Sequence, residues 1–104
     1  MPANRLDILK GMVERNPADN FARYWLAMEY AKLGEFEQAV AHFDALLAVN
    51  PNYLAAYFHT AQTLEKLGRA EAAREMYARG IEVAERLGDQ HTRSELQAAL
   101  DLLG

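Results

Sequence analysis

The chain has 104 residues, the size of one ordinary domain, and 51% of them are hydrophobic while 25% are charged. This balance excludes a disordered chain, and the net charge of −4, with both signs interspersed, argues against a nucleic-acid partner. The absence of cysteine excludes disulfides, thiolate metal sites and cysteine nucleophiles.

The beginning of the chain, Met1–Asp7, has no apolar run of the kind that a secretory signal requires. No stretch of the sequence approaches the run of about 18 apolar residues that a membrane-spanning helix needs. We therefore expect a soluble, cytoplasmic protein that has no membrane partner. The first predicted element is an amphipathic helix over residues 3–16, whose apolar side is made by Leu6, Leu9, Met12 and Val13.

Residues 20–53 predict a pair of helices that is interrupted at Gly34. The first helix of the pair is apolar around almost its whole circumference, so it must be covered on several sides. The second helix has one apolar stripe, formed by Phe36, Ala39, Val40, Phe43, Leu46 and Leu47. Residues 54–87 predict a second pair, interrupted at Gly68, and residues 90–103 predict a last amphipathic helix.

Two independent markers repeat with the same period. Pro17 and Pro51, each preceded by asparagine, lie 34 residues apart, and so do Gly34 and Gly68, each preceded by leucine. A fixed period of this length is typical of stacked repeats, whose units cannot bury their apolar faces alone.

The helix ends are also predicted by residue type. Glycines stand where left-handed C-terminal caps would fall, at Gly34, Gly68 and Gly88. Short polar side chains stand where N-caps would fall, at Asp19, Asn52 and Asp89. The result is an all-α chain of six helices without strands.

No residue pattern predicts catalysis, a metal or a cofactor. The histidines, His42, His59 and His91, fall on three different helices without a histidine partner at i, i+4, so metal-ligand spacing is absent. Neighbouring acids such as Glu82 and Glu85 are typical of solvated helix faces, and no nucleophile motif or phosphate-binding loop occurs. We therefore expect a protein that is not an enzyme.

The residues that carry the 34-residue period resemble the tetratricopeptide repeat, as found in small bacterial-type members of that family. In the first unit the matching residues are Leu26, Ala27, Tyr30, Gly34, Phe36, Ala39, Phe43, Leu46 and Pro51. In the second unit they are Tyr57, Ala61, Gly68, Ala73 and Tyr77. The family's usual tryptophan is replaced by Arg23, a leucine by Thr60, and the closing proline by Glu85. The missing proline predicts a longer last helix in the second unit.

The resemblance implies one domain over residues 1–104, made of antiparallel helix pairs stacked into a superhelix. Residues 3–16 would be a half repeat, residues 20–53 and 54–87 two full repeats, and residues 90–103 a capping helix. In this family the first helix of each pair lines a concave groove that binds a partner protein or peptide. The groove residues carried over are Phe21, Tyr24, Met28, Lys32, Ala55, Phe58, His59, Gln62 and Lys66.

Two other interpretations remain open. The same apolar surface, or the face of the N-terminal half repeat, could pair with a second copy and make the chain a self-associating scaffold, since about three repeats are usually needed for a stable core. A ligand carrier or minor enzyme built on His59 is the third interpretation. The sequence leaves the identity of the partner, its affinity and the pathway undetermined.

Overall fold

A computed structural model describes residues 4–104 and contains six helices, with no strand in that range. Residue 3, where the first helix was predicted to begin, lies outside the described residues. The bounds are α1 Arg5–Arg15, α2 Asn20–Lys32, α3 Phe36–Val49, α4 Leu54–Lys66, α5 Ala70–Leu87 and α6 Gln90–Leu103. Each helix packs against the helix before it and the helix after it, and α2 also contacts α4. The chain is therefore a stack of antiparallel helix pairs, as predicted.

Close helix packing depends on small residues in the core. Of the seven completely buried alanines of the described residues, five belong to the main core cluster: Ala27, Ala39, Ala56, Ala61 and Ala73. Phe43, Tyr57 and Tyr77 fill the space beside them. A smaller cluster joins α1 to α2 through Leu9, Val13, Ala22 and Leu26. Trp25 and Tyr30 are half-buried and contact both clusters, which links α1 to the rest of the core.

The helix ends follow the predicted chemistry with one exception. Gly34, Gly68 and Gly88 all have positive φ, between 73° and 80°. Asp19 and Asp89 cap α2 and α6 by accepting backbone N–H bonds at 3.0 Å. The prediction for Asn52 was wrong: α4 has no side-chain cap, and the Asn52 Oδ1 instead accepts a hydrogen bond from Arg86 of α5 at 2.8 Å.

The second repeat ends in a longer helix than the first. α5 has 18 residues whereas α3 has 14, which agrees with the absence of a closing proline. The added turn reaches past α4, where Arg86 bonds Asn52, and delays the start of α6 to Gln90. No helix of the described residues is both long and apolar enough to cross a bilayer.

Gly80 marks the closest approach of α5 to two other helices. A Cβ at this position would lie 2.8 Å from the Cβ of Tyr57 in α4 and 3.0 Å from a methyl carbon of Leu96 in α6. Neither Tyr57 nor Leu96 is free to move, because both are buried. The missing side chain therefore allows α4, α5 and α6 to pack together.

We expect Gly80→Ala to lower the free energy of unfolding by about 1–3 kcal/mol, because overpacking at this crossing outweighs the helix propensity of alanine. Gly11→Ala is the matched control within a helix. Its added Cβ meets only the flexible end of Arg15, so it should raise the stability by roughly 0.5–1 kcal/mol. Urea unfolding measures both, and a Gly80→Ala protein as stable as Gly11→Ala would contradict the crossing described here.

Candidate functional site

Helices α2 and α4, which are the first helices of their pairs, and the last helix α6 line one side of the stack. We call this side the α2–α4–α6 face. It contains two neighbouring hollows, one between α2 and α4 and one between α4 and α6. His59, in the middle of α4, belongs to the walls of both. The two hollows are therefore adjacent, separated by one side chain.

The α2–α4 hollow has a volume of about 290 Å³ and brings together five of the predicted groove residues. These are Met28 and Lys32 from α2, and His59, Gln62 and Lys66 from α4. Ala31 and Thr63 complete the wall. The lining contains no carboxylate, so the two lysines give this hollow a positive charge.

The α4–α6 hollow has a volume of about 280 Å³, and more of its lining residues are apolar in type. Its wall contains the predicted residues Ala55, Phe58 and His59. The remaining lining residues are Leu54, Thr92, Glu95 and Leu96. Glu95 supplies the one negative charge of this hollow, and its carboxylate lies 3.5 Å from Nε2 of His91.

Aromatic packing beneath the face holds its central residues in place. Tyr24 contacts His59 edge-on with ring centres 5.9 Å apart, and it also packs against Tyr53 at 5.2 Å. Phe58 contacts His59 at 5.6 Å and Tyr77 of α5 at 6.2 Å. Because each ring is supported by a neighbour, Phe58 and His59 are preorganised for contact with a ligand.

Two of the predicted groove residues line neither hollow. Tyr24 is only 8% exposed, so it supports the α2–α4–α6 face from below and is not available as a contact. The resemblance to the family placed Tyr24 in the groove, but Phe43 of α3 and His59 of α4 pack against its ring. Phe21 is 64% exposed at the beginning of α2 and packs edge-on against Trp25.

Sequence reasoning missed the contribution of α6, which had been interpreted as a cap alone. Thr92, Glu95 and Leu96 lie in the wall of the α4–α6 hollow. The burial pattern of α4 recurs in α6 after 36 residues, with Thr60 corresponding to Leu96, but burial belongs to the packed structure and is not visible in the sequence. The long α5 shifts the period from 34 to 36 residues, so a strict 34-residue register fails to find these positions.

Burial changes the ionisation of His59 and Tyr24 at the face and of His42 outside it. The pKa of His59 is lowered by desolvation, and the pKa of Tyr24 is raised by burial and then by the neighbouring Tyr53. The pKa of His42, which stacks on Tyr30 away from this face, is lowered by burial and by the charge of Arg23. Because burial favours the neutral form, His59 adds little positive charge to the face at neutral pH.

A larger hollow lies between α3 and α5, with a volume of about 460 Å³, and it contains none of the predicted groove residues. Two of its charged side chains have partners, since Arg69 pairs with Glu37 and the guanidinium of Arg79 lies 5.6 Å from the ring centre of Tyr57, while Asp44 and Glu75 also line it. No three acidic or histidine side chains in residues 4–104 are grouped so that they could hold a metal ion. The α2–α4–α6 face is therefore the stronger candidate site.

Comparison with known proteins agrees with this architecture. The sequence pattern described as "Tetratricopeptide repeat" matches residues 30–103. The chain belongs to the tetratricopeptide repeat family. An uncharacterized protein of Methanocaldococcus jannaschii is 35% identical over 72 residues, which cover 69% of this chain and 84% of that protein.

Two solved structures extend the similarity to three dimensions. The solution structure of a tetratricopeptide repeat domain protein from Salinibacter ruber is 40% identical, with a TM-score of 0.79, and covers 85% of this chain and 89% of its own. The complex of the TPR2B domain of yeast Sti1 with pHsp70 has a TM-score of 0.87 and 19% identity, over 94% of this chain and 78% of that one. The second likeness is one of fold.

We expect the stability of the protein to decrease as the pH falls through about 6.5, the ordinary pKa of histidine in an unfolded chain. The folded protein disfavours protonated His59 and His42, so below that pH the unfolded state binds more protons and becomes more favourable. His59→Gln and His42→Gln should each reduce the loss of unfolding free energy between pH 7.5 and pH 5. Urea unfolding at a series of pH values measures this.

His91→Gln is the matched control, because it removes an exposed histidine of α6. Its stability curve should keep the wild-type shape. A wild-type protein that gains stability on acidification would contradict the burial of the other two histidines.

Proposed function

We propose that this tetratricopeptide repeat protein is a non-enzymatic protein-interaction module that binds a peptide segment of a partner on its α2–α4–α6 face. The observation that carries the proposal is the pair of adjacent hollows, in which half-exposed Met28 and Phe58 lie beside polar His59 and Gln62. Concave sites that combine apolar contacts with a few fixed polar groups are typical of ligand binding.

The shape of the face suits a peptide better than a compact small molecule. Both hollows are open and shallow, and together they extend across three helices. A linear segment can place successive side chains in them, and it would lie on rings that are already held in position, which lowers the entropic cost of binding. The complex of yeast Sti1 with pHsp70 supports the proposal in general terms, because that protein has the same fold.

The test replaces a small exposed residue inside the face, so that no core contact is lost. Ala55 is exposed near the beginning of α4 and lines the α4–α6 hollow. We expect Ala55→Glu to weaken partner binding at least about 10-fold, because the hollow would then contain a second carboxylate beside Glu95 and less apolar surface. Affinity purification from cells that naturally contain the protein, followed by titration with the recovered partner, measures the loss.

Ala45→Glu is the matched control, since Ala45 is exposed in the middle of α3 and lies outside the α2–α4–α6 face. This variant should retain the partner, and both variants should unfold at the wild-type temperature. The proposal fails if partners remain bound to a correctly folded Ala55→Glu protein with undiminished affinity.

Self-association is the second candidate function, and it is favoured by large apolar side chains on the outer helices. Ile8 of α1 is 51% exposed and Leu102 of α6 is 89% exposed. A homodimer could bury them. Under the leading proposal the protein sediments as a monomer at tens of micromolar. A dimer that Leu102→Ser converts to monomer would favour self-association instead.

A further inference from the structure

The two hollows of the α2–α4–α6 face differ in charge, and the difference restricts which peptide fits. Lys32 and Lys66 both line the α2–α4 hollow, where no acidic side chain is present. Within residues 4–104 the ion pairs involve arginines and His91, and neither of these two lysines takes part. A chain with a net charge of −4 therefore presents, at one place on this face, two lysines without an acidic partner in the described part of the chain, and the Nζ of Lys66 lies 5.6 Å from the ring centre of Phe36.

The helix dipole compensates only part of the positive charge of these two lysines. Each lies in the last helical turn, Lys32 in α2 and Lys66 in α4, where a cation interacts favourably with the helix dipole. The carbonyl end of a helix is equivalent to roughly half a negative charge, so it leaves each ammonium partly uncompensated. Because the two residues are 34 apart, they occupy the same place in successive repeats and flank the same hollow.

The α4–α6 hollow has the opposite preference. Leu54, Ala55, Phe58 and Leu96 make it apolar, and Glu95 is its one charged residue. A carboxylate of the ligand would be repelled there by Glu95 and attracted by the lysines of the other hollow. An apolar side chain would be favoured, because it would bury against Phe58 and its neighbours.

Helix α4 sets the spacing between the two preferences. Lys66 follows Phe58 by eight residues in α4, a rise of about 12 Å at 1.5 Å per residue, which up to about four residues of extended chain cover at about 3.3 Å each. We propose that the partner segment is a peptide with an aspartate or glutamate side chain in the α2–α4 hollow and a large apolar side chain in the α4–α6 hollow, two to four residues away. This inference rests on the proposed function and specifies its ligand.

The acidic group is assigned to a side chain inside a segment and not to a chain terminus. The probe is a library of random peptides displayed between two flanking domains, which leaves no free terminal carboxylate. The wild-type protein should select peptides in which Asp or Glu is enriched two to four residues from Leu, Ile, Met or Phe.

Reversal of the lysine charges provides the specific readout. The double variant Lys32→Glu, Lys66→Glu should bind a selected peptide about 10-fold more weakly, and it should select Lys or Arg at the same place while the apolar preference stays. The matched control is Lys10→Glu, which reverses the third lysine of the chain, on α1 outside this face. It should leave both the affinity and the selected pattern unchanged, and thermal unfolding confirms that each variant is folded.

The outcomes separate this inference from the proposed function. Selected peptides that Ala55→Glu no longer binds, but that show no enrichment in acids or no response to lysine reversal, overturn the inference and leave the proposed function standing. Binding only to peptides with a free C-terminal carboxylate overturns it as well. If the library yields no peptide that competes for the α2–α4–α6 face, both proposals fail together.

Discussion

The α2–α4–α6 face depends most on the crossing at Gly80. Here the backbone of α5 lies so close to Tyr57 of α4 and Leu96 of α6 that there is no room for a Cβ. A helix that lacks a side chain at this point allows its two neighbours to approach the same backbone, so α4 and α6 are held side by side. The α4–α6 hollow is the space left between them. Fully buried alanines such as Ala27 and Ala61 make the earlier crossings close in the same way. The hollows therefore exist because the core beneath them is packed through small residues.

The aromatic residues at and beneath the α2–α4–α6 face form two layers, one that supports the face and one that is exposed on it. Tyr24, Tyr53 and Tyr77 support the face from below, whereas Phe58 and His59 are half-exposed above them. The Tyr77 hydroxyl donates a hydrogen bond to the Glu65 carboxylate, which ties α5 to α4. Burial, and then this bond and the charge of Glu65, raise the pKa of Tyr77. The hydroxyl of a buried tyrosine such as Tyr77 bonds to a group inside the protein, and the supporting rings hold Phe58 and His59 in position.

The arginines and the lysines of this protein, whose net charge is −4, are used differently. Several arginines form ion pairs between or along helices, as in the pairs of Arg69 with Glu37 and Arg93 with Glu85. Exposed pairs of that kind add little stability individually. Two of the three lysines line the α2–α4 hollow and pair with no carboxylate of the described residues. Under the proposed ligand preference, the two hollows would discriminate between ligands by charge, because lysines line one hollow and a glutamate lines the other.

The sequence by itself determined the six helices, their order, the glycine C-caps and the N-caps Asp19 and Asp89, because these follow from local spacing and from backbone conformations that few residues adopt. It also predicted seven residues that the structure places in the two hollows. Tertiary structure alone decided that Tyr24 is buried and that α6 forms part of the α2–α4–α6 face. Helical periodicity reports which side of a helix is apolar, but a helix such as α2, which is apolar all round, gives no information about which of its sides a neighbour covers. The change of period from 34 to 36 residues between α4 and α6 has a similar cause. The longer α5 moves the start of α6 along the sequence, and only the packed structure shows where α6 then lies.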